Sequence, residues 1–93
     1  MYKALVVCKA GMGSSMMLKI KADQVIKENE LPIVTQHGSI DSISDFKGDL
    51  ILTQSDFADK IDAHGAYVAS VDNILDKDEI KAALEGFLSA RQG

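Results

Sequence analysis

The sequence predicts one α/β domain over residues 1–93, a four-stranded parallel sheet with helices on both faces. Three observations lead there. Short apolar, β-branched runs alternate along the chain with stretches of helical period. That alternation suits parallel strands joined by right-handed crossovers. No internal repeat, low-complexity stretch or linker divides the chain.

Tyr2 to Cys8 (YKALVVC) reads as a strand buried on both faces. The turn Lys9-Ala10-Gly11-Met12-Gly13-Ser14 follows it. A helix is expected from Ser15 to Glu30, with Ser14 or Ser15 as N-cap. Leu18, Ala22, Val25 and Ile26 form its core stripe, and Lys19, Asp23 and Lys27 lie beside the stripe, facing water. Pro32 is expected to end this helix, and Ile33 to His37 forms the second strand.

After a short connection, Asp49 to Thr53 makes a third strand and Ala66 to Val71 a fourth. Between them, Ser55 or Asp56 caps a short helix with Phe57 and Ile61 inward, stopped at Gly65. The last helix opens on a capping box, Asp76-Lys77-Asp78-Glu79. Ile80, Ala83, Leu84, Phe87 and Leu88 then recur at helical spacing.

Composition narrows the function. A hydrophobic share of 46% beside 26% charged residues is that of a globular domain and argues against disorder. The net charge of −4 argues against nucleic acid, whose phosphates are bound by clustered Lys and Arg. No run approaches the ~18–20 apolar residues of a membrane span, and Ala4 to Cys8 is too short for a secretory signal. The expected location is the cytosol. A single cysteine excludes an internal disulfide and a Cys-rich zinc site, and no metal or cofactor is called for.

Chemistry concentrates at the end of the first strand. Open parallel sheets bind ligands beyond the carboxyl ends of their strands, and Cys8 lies there. Gly11 and Gly13 permit φ > 0, so the N–H groups of Lys9, Ala10, Gly11, Met12 and Gly13 can converge on an anion. The helix N-terminus adds unpaired N–H groups and dipole charge, and Ser14 and Ser15 add hydroxyls. Cysteines at helix N-termini titrate at about 3.5–7.5 instead of about 8.5. The same donors that hold a thiolate match the oxygens of a phosphoryl group. A cysteine ending a buried strand is otherwise a small hydrophobe, and a G-x-G turn alone is common. Neither G-x-x-x-x-G-K-[ST] nor a complete G-x-G-x-x-G is present.

The motif Cys8-x-x-Gly11-x-Gly13-Ser14-Ser15 resembles the active-site loop of IIB components of the ascorbate-type sugar phosphotransferase system. More broadly it is similar to other IIB proteins, which share a fold with low-molecular-weight tyrosine phosphatases. Asp49 to Ser55 resembles the family's third strand and turn, and Val68 to Leu75 its fourth strand and turn, so the likeness spans nearly the whole chain. The resemblance implies a relay. A IIA partner would donate a phosphoryl group from phosphohistidine to Cys8, and a sugar held by the membrane component IIC would accept it. The chain would then work as a cytoplasmic monomer, transiently at the inner face of the membrane. Lys9 departs from the small residue the family often has there, and it either adds charge beside the thiolate or faces solvent.

The related phosphatases place Arg six positions after the cysteine, where this chain has Ser14, and they also need an acid. Asp72 is the candidate acid, with a solvated turn as the plainer role. A phosphatase or arsenate reductase of similar fold is the second reading. A binding module with an inert Cys8, holding a small anion or a flavin phosphate, is the third. His37 and His64 read as structural or surface residues, and Thr53, Gln54 and Ser55 border the cysteine turn or form a polar turn and cap. Met16 and Ile20 lie more than about 100° from the core stripe. With Met12 they form a candidate apolar docking patch for IIA and IIC, or else extra core.

Overall fold

The computed structural model describes residues 1–7, 12–38, 40–58, 61 and 65–92, with side chains for all of these except 12–15, 40, 42, 44, 56, 57 and 92. Four strands, β1 (Tyr2–Val6), β2 (Ile33–His37), β3 (Leu50–Gln54) and β4 (Tyr67–Val71), form one parallel sheet in the order β2-β1-β3-β4. Three helices accompany them: α1 (Met12–Asn29), the four-residue α2 (Ser55–Ala58) and α3 (Lys77–Gln92). β2 has the bounds expected from sequence. The expected first strand is shorter, ending at Val6. Asp49 sits just outside β3, where its N–H donates to Lys3 O at 2.9 Å while its Oδ2 accepts from Lys3 N–H at 3.0 Å.

Central strands are buried on both faces, as their unbroken apolar runs require: Ala4, Leu5, Val6 and Val7 on one, Leu50, Ile51 and Leu52 on the other. Alternation sends Ala4, Val6, Leu50, Leu52, Ala69 and Val71 to one face. There they meet Leu18, Ala22 and Val25 of α1 and Ile80, Leu84, Phe87 and Leu88 of α3. Phe87 anchors this layer, with the rings of Tyr2 at 5.2 Å and Tyr67 at 5.6 Å set edge-on.

Both faces are covered, but unequally. The second core joins Leu5, Val7 and Ile51 to Ile43, with Phe46, Ile61 and Ala66 packed against it. Ile43 lies in a 3-10 helix, Ile40–Asp45, where the sequence predicts only a short connection. Ile43 and Phe46 stand three residues apart, the repeat of a 3-10 helix, so the signal was present. The Phe46 ring lies against Gly48, where a Cβ would come within 2.1 Å of it, so any larger residue at 48 would displace the ring. Gly65, the expected stop after α2, has φ of 97°, a left-handed conformation.

α1 ends by a different device from the expected Pro32. Glu30 takes the left-handed conformation, φ 52°, with its N–H directed to Lys27 O at 3.4 Å and Leu31 N–H donating to Ile26 O at 3.0 Å. These are the two bonds of a Schellman motif, so the helix closes before the proline is reached. Of the residues expected to face water, Lys27 is exposed, whereas Lys19 and Asp23 are half-buried. They form an ion pair at 2.8 Å, and Asp23 also accepts a hydrogen bond from the Thr35 hydroxyl.

Asp76 caps α3 as expected, its Oδ1 accepting from Asp78 N–H at 3.0 Å and Glu79 N–H at 3.3 Å. The other half of the capping box differs. Asp76 N–H donates to Asn73 O, and the Glu79 carboxylate reaches further back to the N–H groups of Asp72 (2.7 Å) and Asn73 (2.8 Å). The carboxylate thereby ties the turn after β4 to the helix.

Candidate functional site

The sheet order places β1 between β2 and β3. Leaving β1, the chain passes one way through α1 to β2, then returns across β1 to reach β3. The carboxyl ends of β1 and β3 therefore form a topological switch point, where open parallel sheets bind ligands. Pairing runs one residue beyond β1 at this edge, because Val7 N–H donates to Leu52 O at 3.0 Å. On the other side Gly38 N–H donates to Val6 O at 3.1 Å.

Cys8, Lys9, Ala10 and Gly11 lie outside the described residues. They connect Val7 at the switch point to Met12, where α1 begins. This start is three residues earlier than the sequence predicts, and it corrects two expectations. Gly13 has helical backbone, not a left-handed turn conformation, and neither Ser14 nor Ser15 is the N-cap. Met12 is a strong helix former, and once a helix is nucleated each added residue gains a hydrogen bond. An early start leaves the N–H groups of Met12, Gly13 and Ser14 without an acceptor within the helix. About half a positive charge accompanies them from the helix dipole. The side chains of Met12, Ser14 and Ser15 lie outside the described part.

Further along α1, Met16 and Ile20 are each 43% exposed, so neither has been absorbed into the core. Met17, at 42%, widens the same patch. Helical arithmetic also places Met17 away from the Leu18–Ala22–Val25 stripe, a signal the sequence reading passed over.

Other candidates separate clearly. His37 is paired in register with Val6, which puts it at the same edge as the cysteine turn, half-buried. His64 lies outside the described residues. Asp72 is exposed, and its N–H is held by Glu79. Gln54 and Ser55 are half-buried at the end of β3. Thr53 is fully buried there, and its hydroxyl has no hydrogen-bond partner among the described residues. Arg91 is far from this edge: its Nη2 donates to Asp49 O at 3.1 Å, at the amino end of β3. A five-residue strand of about 16 Å, at about 3.3 Å per residue, separates the two ends.

Among the described residues no group of three or more His, Cys, Asp or Glu is arranged to hold a metal ion. No helix among them is long and apolar enough to cross a membrane.

A family model described as "PTS system, Lactose/Cellobiose specific IIB subunit" matches residues 3–86. The solved lactose-specific IIB component domain of the phosphoenolpyruvate:carbohydrate phosphotransferase system from Streptococcus pneumoniae is similar over 95% of this chain and 95% of that one. Its TM-score is 0.57 at 18% identity, a likeness of fold. No curated protein matches the chain.

Proposed function

The chain belongs to the lactose/cellobiose-specific IIB family of the sugar phosphotransferase system, and from that premise we propose that Cys8 is its phosphoryl carrier. A IIA partner supplies the group from phosphohistidine, and a sugar held by the membrane component IIC accepts it. In the first transfer the Cys8 thiolate attacks phosphorus, the P–N bond breaks, and its electron pair returns to the imidazole. In the second, a sugar hydroxyl attacks phosphorus and gives up its proton. The S–P bond then breaks, and the thiolate is regenerated.

One observation carries this reading: only residues 8–11 separate Val7, at the switch-point edge, from the start of α1. The N–H groups of Met12, Gly13 and Ser14, which have no acceptor within the helix, follow directly on the short segment that carries the one thiol in the sequence, which supports a site there. Lys9, Ala10 and Gly11 complete the phosphate turn in this reading, and Ser15 supports it from the helix. The exposure of Met16, Met17 and Ile20 beside that end of α1 supports docking of IIA and IIC there, with Met12 at its border. A shuttle of this kind works in the cytoplasm as a monomer and visits IIC at the inner membrane face. Within the family, the Cys8-x-x-Gly11-x-Gly13-Ser14-Ser15 turn supports an ascorbate-type carrier.

Phosphatase chemistry is the poorer fit, because Ser14 stands where those enzymes carry their Arg and Arg91 is occupied at the far edge. The test is intact mass after incubation with phosphoenolpyruvate, the general phosphotransferase proteins and cognate IIA. Wild type should gain one phosphate, stable in acid and labile to base and iodine. Cys8→Ser should gain none, and a phosphorylated Cys8→Ser chain would refute the assignment.

A further inference from the structure

We propose that Lys21 and Lys27 give the exposed face of α1 a basic border that selects an acidic protein surface, that of the IIA donor. The inference rests on the docking reading above. Met16, Met17 and Ile20 are the apolar part of this face. Lys21 stands four residues after Met17, and Lys27 seven after Ile20, spacings that keep both lysines on the same side of the helix as the apolar residues.

Charge on α1 is unevenly spent. The helix carries Lys19, Lys21 and Lys27 against Asp23 and Glu28. Asp23 is taken by Lys19 at 2.8 Å and by the Thr35 hydroxyl, and Glu28 by Lys77 of α3 at 2.8 Å. The next carboxylate, Glu30, lies beyond the helix end. Half-buried Lys21 and exposed Lys27 make no ion pair among the described residues. The face is therefore positive on a chain whose net charge is −4.

Two uncompensated ammonium groups beside an apolar contact fit a partner that sets carboxylates around an apolar contact of its own. IIA suits this better than IIC, because cytoplasmic loops of membrane proteins carry an excess of Lys and Arg. The apolar residues serve both partners, and the lysines distinguish them. An anionic lipid surface also attracts lysine, but it repels a chain of this net charge. Charges at the rim of an interface act on the encounter rate, and salt removes their effect.

The test follows charging of the full chain by cognate IIA, read by intact mass at about 0.01 M and about 1 M salt, where the Debye length is about 30 Å and about 3 Å. The double variant Lys21→Gln/Lys27→Gln should charge about three- to tenfold more slowly than wild type at low salt, and as fast at high salt. Glutamine keeps the helix propensity of lysine, and the urea midpoint checks the fold. Lys47→Glu, at an exposed position before the amino end of β3, changes the net charge by as much and should charge like wild type. A glutamine chain that charges like wild type at low salt overturns the proposal. So does a deficit that persists at high salt, or an equal deficit in Lys47→Glu. Phosphatidylglycerol vesicles that bind wild type but not the glutamine chain would assign the lysines to the membrane and overturn it as well. A wild-type chain that takes no phosphate on Cys8 overturns the relay reading, and this proposal with it.

Discussion

Arg91 donates from Nη2 to the backbone oxygen of Asp49 at 3.1 Å, with its guanidinium carbon 5.7 Å from the centre of the Phe87 ring. The chain's one arginine is therefore held at the amino edge of the sheet, opposite the edge reached by Val7. In a phosphatase of related fold an arginine would clamp the transferred phosphate, and in the proposed relay that task would fall to backbone amides. A phosphoryl group held by amides alone is suited to storage and transfer.

Arg91→Ala should lower stability by about 1 kcal/mol, through loss of one hydrogen bond and a cation–π contact. Phosphate gain by Cys8 should be unaffected. Chemical denaturation and intact mass measured on the same preparation check both halves. A folded variant that no longer accepts phosphate would place Arg91 in the site after all.

Ser14→Arg should convert storage toward hydrolysis. A guanidinium six residues after Cys8 would stabilise charge developing on the phosphoryl oxygens, shortening the phosphocysteine lifetime about tenfold or more. Decay of the phosphorylated mass after removal of IIA measures this. An unchanged lifetime would show that the missing arginine is not what protects the intermediate.

Met16→Asp should weaken docking without harming the fold. The residue is 43% exposed near the start of α1, where a negative charge favours the helix dipole. Stability should stay within about 0.5 kcal/mol of wild type. Charging by IIA should slow about tenfold, the scale expected when a buried interface anchor is lost. Ile20→Asp, one turn further from the cysteine, should behave in the same way. Unchanged transfer in both would remove the patch from the docking account.

Glu30→Gly should stabilise the protein by about 0.5–1 kcal/mol, because glycine adopts the left-handed conformation without the Cβ penalty that Glu30 bears. Thermal or urea unfolding reads the change directly. A lower midpoint would mean that α1 does not close through this residue.

How much of this could be read from sequence depends on whether the signal is local. β2 was legible because the β-branched Ile33, Val34 and Thr35 follow Pro32 directly, and the cores of β1 and β3 because buried parallel strands are unbroken apolar stretches. Asp76 was recognisable as a cap from its own neighbourhood. The missed features depend on partners elsewhere in the chain or on a cost that local rules count against. Glu30 adopts a conformation its side chain disfavours, for which the Leu31-to-Ile26 bond compensates. The Glu79 carboxylate prefers two amides of the preceding turn to the reciprocal bond of a capping box. Burial of the Thr53 hydroxyl follows from its place in a central strand, which only the strand order reveals. Of the expected cysteine turn, residues 8–11 lie outside the described part, and the early start of α1 puts Met12 to Ser15 into the helix.

The claim on which the account turns is that amides at the mouth of β1 hold Cys8 as a thiolate. Its most direct measurement is the rate of iodoacetamide alkylation of the single thiol across pH. Stabilisation by the helix end predicts a midpoint well below the ordinary thiol value, in the range of about 3.5–7.5. A midpoint at or above about 8.5, in protein shown to be folded, would contradict it.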